Sequence, residues 1–135
     1  MMPKALIENG VLSAIEDMLE NTLVGTGISY NIEHYQLKER LPETIELTLF
    51  RICQELINNT IKHAKATEII VQLIKSKKNI VLIVEDNGQG FDQNKSSDGI
   101  GLLNLTSRLN TINGEVSYES SSNSGTSATI RIPLV

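Results

Sequence analysis

The chain has 135 residues, 40% of them hydrophobic and 21% charged, with no tryptophan and a formal net charge of −4. That length suits one domain, long enough to bury about two-thirds of the surface its unfolded chain exposes. The acidic balance argues against a nucleic-acid partner, which a basic face normally meets, and no apolar run nears the roughly 20 residues of a membrane span.

The N-terminus lacks the charged and apolar regions of a secretory signal. Val11, Ile15, Met18, Leu19 and Leu23 are spaced for an amphipathic helix that ends near Gly25 and Gly27. Ile28, Tyr30 and Ile32 then alternate with polar residues, the pattern of a half-buried strand. Pro42 opens a long helix to about Ala66, with Ile45, Leu49, Ile52, Cys53, Leu56, Ile61 and Ala64 facing a core. Cys53 is the single cysteine, so an internal disulfide is excluded, and its apolar setting marks a core thiol in a reducing, cytoplasmic environment.

Ile69 to Ile74 and Ile80 to Val84 read as strands joined by the polar turn Lys75 to Asn79. The second is the longest apolar run of the chain and belongs at the centre of a sheet. A glycine-marked loop covers Asn87 to Asp98, and a helix from Gly99 or Ile100 runs to Asn113 and stops at Gly114. Val116 and Tyr118 mark a strand, Ser120 to Gly125 a hairpin turn, and the alternation from Thr126 to Leu134 the last strand. The expected class is α+β, with about three helices on one face of a mixed sheet.

Two stretches carry chemistry. Along the long helix Arg51, Glu55, Asn58, Asn59 and Lys62 fall at i, i+4, i+7, i+8 and i+11, which places them on one face. Glu55 and Asn59 are one turn apart and offer hard oxygen ligands suited to Mg²⁺ or a water of its shell. Lys62, a turn further on, can reach a phosphate oxygen. Taken alone, such a stripe is more often a solvated helix face. Asp86 ends an apolar strand, where a carboxylate is costly to bury without a donor, and an adenine amino group would supply one. Gly88 and Gly90 allow the backbone close to a flat ring, although Asp-Asn-Gly is also a common plain turn.

Gly99-Ile100-Gly101-Leu102 opens a helix whose first amides can cradle phosphate. It is neither a Walker loop nor a dinucleotide fingerprint, since no Gly-Lys-Ser/Thr and no third glycine follow. Gly125-Thr126 enters the final strand, where the threonine hydroxyl can meet a purine edge or simply serve the hairpin.

In this order the four elements resemble the nucleotide site of the GHKL superfamily, named for gyrase, Hsp90, histidine kinases and MutL. Glu55 to His63 resembles its N box, Asp86 to Gly90 and Gly99 to Leu102 its glycine boxes, and Gly125-Thr126 its closing pair. Within the superfamily the chain is most similar to sensor histidine kinases of the nitrate-sensor and desaturase-thermosensor type. The phrase Gln54-Glu55-Leu56 with Asn59 and His63-Ala64 carries that likeness, as do Asp86 to Phe91 and Gly99 to Leu102 followed by Arg108. Pro3, Leu6, Gly10 and Val11 resemble the segment that follows the dimerisation helices of such kinases.

The resemblance implies a two-layer α/β sandwich, the Bergerat fold, that binds Mg-ATP. It divides the chain into a linker and first helix over 1–25 and an ATP-binding catalytic domain over 26–135. It assigns Mg²⁺ to Asn59, orientation of the metal's water shell to Glu55, phosphate contact to Lys62 and the adenine amino group to Asp86. Gly88, Gly90, Gly99, Gly101 and Leu102 would shape the pocket and its lid, with Thr126 on the purine and His63 a weaker candidate for phosphate. The implied reaction is that of a protein-histidine kinase. The implied partners are the parent's histidine-bearing dimerisation domain and a response regulator, with no nucleic acid and no membrane contact by this domain. A cytoplasmic location follows, in a parent that an inner-membrane anchor would suit.

One departure stands out. The only histidine besides His63 is His34, followed by Tyr35 in a strand-like segment and not in an acceptor motif. The chain is therefore expected to bind ATP without phosphorylating itself. The alternatives are a stand-alone anti-sigma-type serine kinase and a nucleotide-binding adaptor without transfer activity.

Overall fold

The computed structural model describes residues 3–89, 107–120 and 125–134. Two helices open the chain, α1 (Lys4–Asn9) and α2 (Val11–Leu23). Between them Gly10 takes φ 94° and ψ 179°, a conformation essentially closed to residues with a Cβ. The sharp turn there sends Leu6 of α1 into the same core as Val11, Ala14, Ile15, Met18, Leu19 and Leu23 of α2. The apolar spacing predicted α2 with its end, whereas α1 is too short to show a period and was missed.

Strand β1 (Ser29–Tyr35) leads to α3 (Glu43–Asn59), which begins one residue after Pro42 with Glu43 and Glu46 in its first turn. Acidic side chains there complement the positive end of the helix dipole. Glu46 is 3% exposed and takes three hydrogen bonds from Arg40, with Nε 3.1 Å from both carboxylate oxygens and Nη2 2.7 Å from Oε1. The same guanidinium donates to the carbonyl oxygens of Leu6 at 3.0 Å and Ile7 at 3.3 Å in the last turn of α1, where that of Leu6 also accepts from Gly10 N–H at 3.2 Å. A Cβ on Gly10 would sit 3.1 Å from Arg40 Nε, so nothing but glycine fits under this clamp without displacing it.

The helix expected to reach Ala66 instead changes winding. After Asn59 the residues Thr60–Ala64 form a π-turn, and Lys65 closes it in the left-handed region at φ 53°. A π-turn opens the hydrogen-bond ladder from i→i+4 to i→i+5 and recurs at functional sites. The i+11 position of Lys62 on the α-helical face therefore does not hold.

Strands β2 (Glu68–Lys75), β3 (Asn79–Asp86), β4 (Glu115–Ser120) and β5 (Thr126–Pro133) complete a sheet of order β1-β2-β3-β5-β4. Only β1 and β2 are parallel, and α3 is their crossover; the other three pairings are antiparallel. The β2–β3 turn closes as expected, with Ser76 N–H donating to the Asn79 carbonyl at 2.8 Å. β3 lies at the centre, as its apolar run predicted.

Register aligns Val71 with Val84 and Val84 with Ala128, and Leu73 with Leu82 and Leu82 with Ile130. These residues, with Ile69, Ile80 and Ile132, are buried against α2 and α3. At roughly 1.5–3 kcal/mol for each fully buried aliphatic side chain, this layer dominates the stability of the fold. Ile70, Ile74, Val81 and Ile83 point to the other face and are only half-buried. Cys53 is buried in the core, where loss of hydration pushes its thiol up to about 12.

Residues 107–110 are helical. Their end differs in detail from the expected glycine stop, because Asn113 takes the left-handed conformation at φ 58° and Gly114 N–H returns 2.8 Å to the Leu109 carbonyl.

Candidate nucleotide site

The alternation of β3 that buries Val84 also turns Asp86, its last residue, toward the helical layer. Asp86 pairs across the sheet with Thr126 at the start of β5 and with Ile69 at the start of β2. Its Oδ1 accepts from Gly88 N–H at 2.9 Å, and its Oδ2 lies 3.3 Å from the Thr60 hydroxyl in the π-turn. A carboxylate has about four acceptor positions. The single Thr60 proton is shared with the Leu56 carbonyl, 3.1 Å away, so Gly88 and, in part, Thr60 hold the side chain and leave capacity for a ligand amino group.

Gly125 holds φ 78°, and a Cβ there would collide with the Asp86 carbonyl oxygen. The glycine of the closing Gly-Thr pair is thus required by the neighbouring strand end. Asn87, read as part of a turn, buckles two loops together. Its Oδ1 accepts from Thr67 N–H at 2.9 Å and Glu68 N–H at 3.0 Å, and its Nδ2 donates to the Thr67 hydroxyl at 2.9 Å. Sequence reasoning gave no role to Asn87 or Thr60. Thr60 is one of two buried polar or charged residues among those described, a signal that burial alone supplies.

On α3, Glu55 is partly withdrawn from solvent, its side chain 26% exposed. Its Oε2 is buried and has no hydrogen-bond partner among the described residues. Arg108 Nε stands 3.8 Å away, close enough for charge attraction and too far for a hydrogen bond. Tyr118 of β4 also faces this layer, and its phenol is pushed above its ordinary range by burial and, secondarily, by the charge of Glu55. Asn58, Asn59 and Lys62 are exposed.

Asp86, Thr126 and Thr60 are thus brought together, with Asn59 adjacent in sequence to Thr60 and Glu55 one turn before it. The backbone of Lys62 and His63 continues in the π-turn, while the side chain of His63 lies outside what is described. Gly90, Gly99, Gly101 and Leu102 also lie outside the described residues.

A buried carboxylate oxygen without a donor, beside an exposed amide, suits a hydrated hard cation. Among the described residues no group of three or more His, Cys, Asp or Glu could hold a metal unaided. Among the described residues no helix is long and apolar enough to cross a membrane.

Three kinds of likeness agree with this geometry. DegS of Brevibacillus brevis, a signal transduction histidine-protein kinase/phosphatase, is 34% identical over 131 residues, which span 96% of this chain and 34% of DegS. The sensor histidine kinase ComP of Bacillus subtilis is 29% identical over 99% of this chain and 18% of its own length. The chain therefore spans about a third or less of these two relatives. Among solved structures, the histidine kinase domain of a blue-light-activated kinase from Erythrobacter litoralis superposes with a TM-score of 0.72 at 19% identity, covering 93% of this chain and 63% of that one. The catalytic domain of histidine kinase ThkA gives 0.74 at 16% identity, covering 93% and 92%. At such identities the structures establish the fold, a mixed sheet layered with helices. Residues 44–135 match the family model described as histidine kinase-, DNA gyrase B-, and HSP90-like ATPase, and the chain belongs to that family.

Proposed function

We propose that this chain is the Mg-ATP-binding catalytic domain of a sensor histidine kinase, and that it donates the γ-phosphoryl group to a histidine on a separate dimerisation domain for relay to a response regulator. The observation that carries the reading is the convergence of Asp86, fixed by Thr60 and Gly88 with acceptor capacity to spare, on the same end of α3 as the half-buried Glu55.

In this reading Asp86 accepts from the adenine amino group and Thr126 lines the purine edge. Asn59 would hold Mg²⁺ and Glu55 would orient its water shell, while Lys62 would contact phosphate, with His63 the weaker candidate. When bound, the ion neutralises phosphate charge. Phosphoryl transfer asks the protein chiefly for positioning and charge stabilisation. The bond between the γ-phosphorus and the bridging oxygen breaks, a bond to the acceptor imidazole nitrogen forms, and ADP leaves. Residues 1–25 would join this domain to the dimerisation helices of a longer parent protein. His34, exposed on the edge strand β1, lacks the setting of an acceptor, so the chain alone would not phosphorylate itself.

Calorimetric titration with a non-hydrolysable ATP analogue, with and without Mg²⁺, tests the site. Wild-type binding should weaken by about a hundredfold in Asp86→Ala and should lose its metal dependence in Asn59→Ala. Adding the histidine-bearing helical domain of the parent with ATP should then yield phosphohistidine. A folded wild-type chain that binds no adenine nucleotide would end the proposal.

A further inference from the structure

Glu55 is approached by a cation from outside its own helix. Arg108 comes from the helical residues 107–110 and brings Nε to 3.8 Å from Oε2, the carboxylate oxygen that is buried without a hydrogen-bond partner among the described residues. An ion pair between two exposed side chains contributes little. Here a half-exposed guanidinium, 49% accessible, attends a carboxylate that is largely withdrawn from water. Removing it would leave the carboxylate oxygen with neither solvent nor a counter-charge, and its direction would no longer be set.

We propose that Arg108 is a positioning residue for Glu55, aiming its carboxylate at the phosphate end of the nucleotide site. The assignment rests on the Mg-ATP reading above. It gives the helical residues 107–110 a part in the site beyond packing. Arg108 does not touch the nucleotide in this account; it acts through Glu55.

The test uses this chain and two probes, a non-hydrolysable ATP analogue titrated over a range of Mg²⁺ concentrations, and adenosine, which needs no metal. Arg108→Gln should raise the Mg²⁺ midpoint about tenfold, the lower end of what loss of an outer-sphere partner produces. Adenosine affinity should stay at the wild-type value. Arg108→Lys should recover most of the loss. The double variant Arg108→Gln/Glu55→Gln should be no weaker than Glu55→Gln alone, because residues that act as one unit are not additive. An unchanged midpoint in Arg108→Gln, an additive double variant, or a parallel loss of adenosine affinity would each overturn the assignment while leaving the nucleotide site standing. A wild type that binds the ATP analogue at no Mg²⁺ concentration would instead remove the site reading, and this assignment with it.

Discussion

Helix α3 carries two withdrawn glutamates, one near each end, and they are built in opposite ways. Glu46 has both oxygens hydrogen-bonded to Arg40, which also closes the end of α1, and Gly10 leaves no free space beneath the pair. Glu55 has an oxygen with no hydrogen-bond partner among the described residues and a cation that stops at 3.8 Å. The same side chain on one helix is thus fully hydrogen-bonded near one end and, among the described residues, not near the other. Buried polar groups are almost always satisfied, and in the proposed reading the hydrated ion of the ligand would complete the second.

The largest effect that would sharpen this contrast lies at Asp86. Asp86→Ala should lower adenine-nucleotide affinity by about a hundredfold, the scale of a lost hydrogen bond to a charged group, with a thermal midpoint close to wild type. Next comes Gly125→Ala, which forces a left-handed residue against the Asp86 carbonyl. It should cost roughly 2–3 kcal/mol of stability by denaturant titration and also weaken nucleotide binding, because the two strand ends must separate. Gly10→Ala should cost about 1–3 kcal/mol yet leave nucleotide affinity unchanged; if affinity fell with stability, the two ends of α3 would not be the separate devices described.

At neutral pH the smallest effect is on Cys53. Its pKa is raised to about 12 by burial, so the native chain favours the neutral thiol while the unfolded chain ionises near its ordinary value of about 8.5. This contribution is complete below that value and falls as pH climbs toward 12, by about 1.4 kcal/mol per pH unit at most. Alkylation of the native protein at pH 8 should be slow and should accelerate on unfolding.

Much of this was legible in the chain. The strands around Val71, Leu82 and Ile130 announce themselves by alternation or by an unbroken apolar run. The site was legible as an ordered set, Glu55 with Asn59, then Asp86 with Gly88, then Gly125-Thr126, though no member of it speaks alone. What escaped was written in contacts between distant residues. The Arg40–Glu46 clamp, the Thr60 hydroxyl on Asp86 and the Asn87 bracket on Thr67 each join polar residues whose local sequence is unremarked. The π-turn at Thr60–Ala64 escaped for a related reason, since periodicity extrapolates an α-helix until packing interrupts it. Asn113 took the helix-ending conformation predicted for Gly114, as asparagine tolerates it among non-glycine residues.

The placement of β1 also bears on the order in which the molecule assembles. Ser29 pairs with Glu68, so β1 gains its partner only after all of α3 has been traversed, whereas β2 and β3 meet across a three-residue turn. Closing the longer loop is entropically dearer and characteristically late. During synthesis β1 has nothing to bind until β2 emerges. In the finished protein it remains an edge, and its amides should exchange with solvent at a lower opening free energy than those of β3. Native-state hydrogen exchange would reveal that ranking, and with it how firmly the strand that leads into the helix of Glu55 and Asn59 is held.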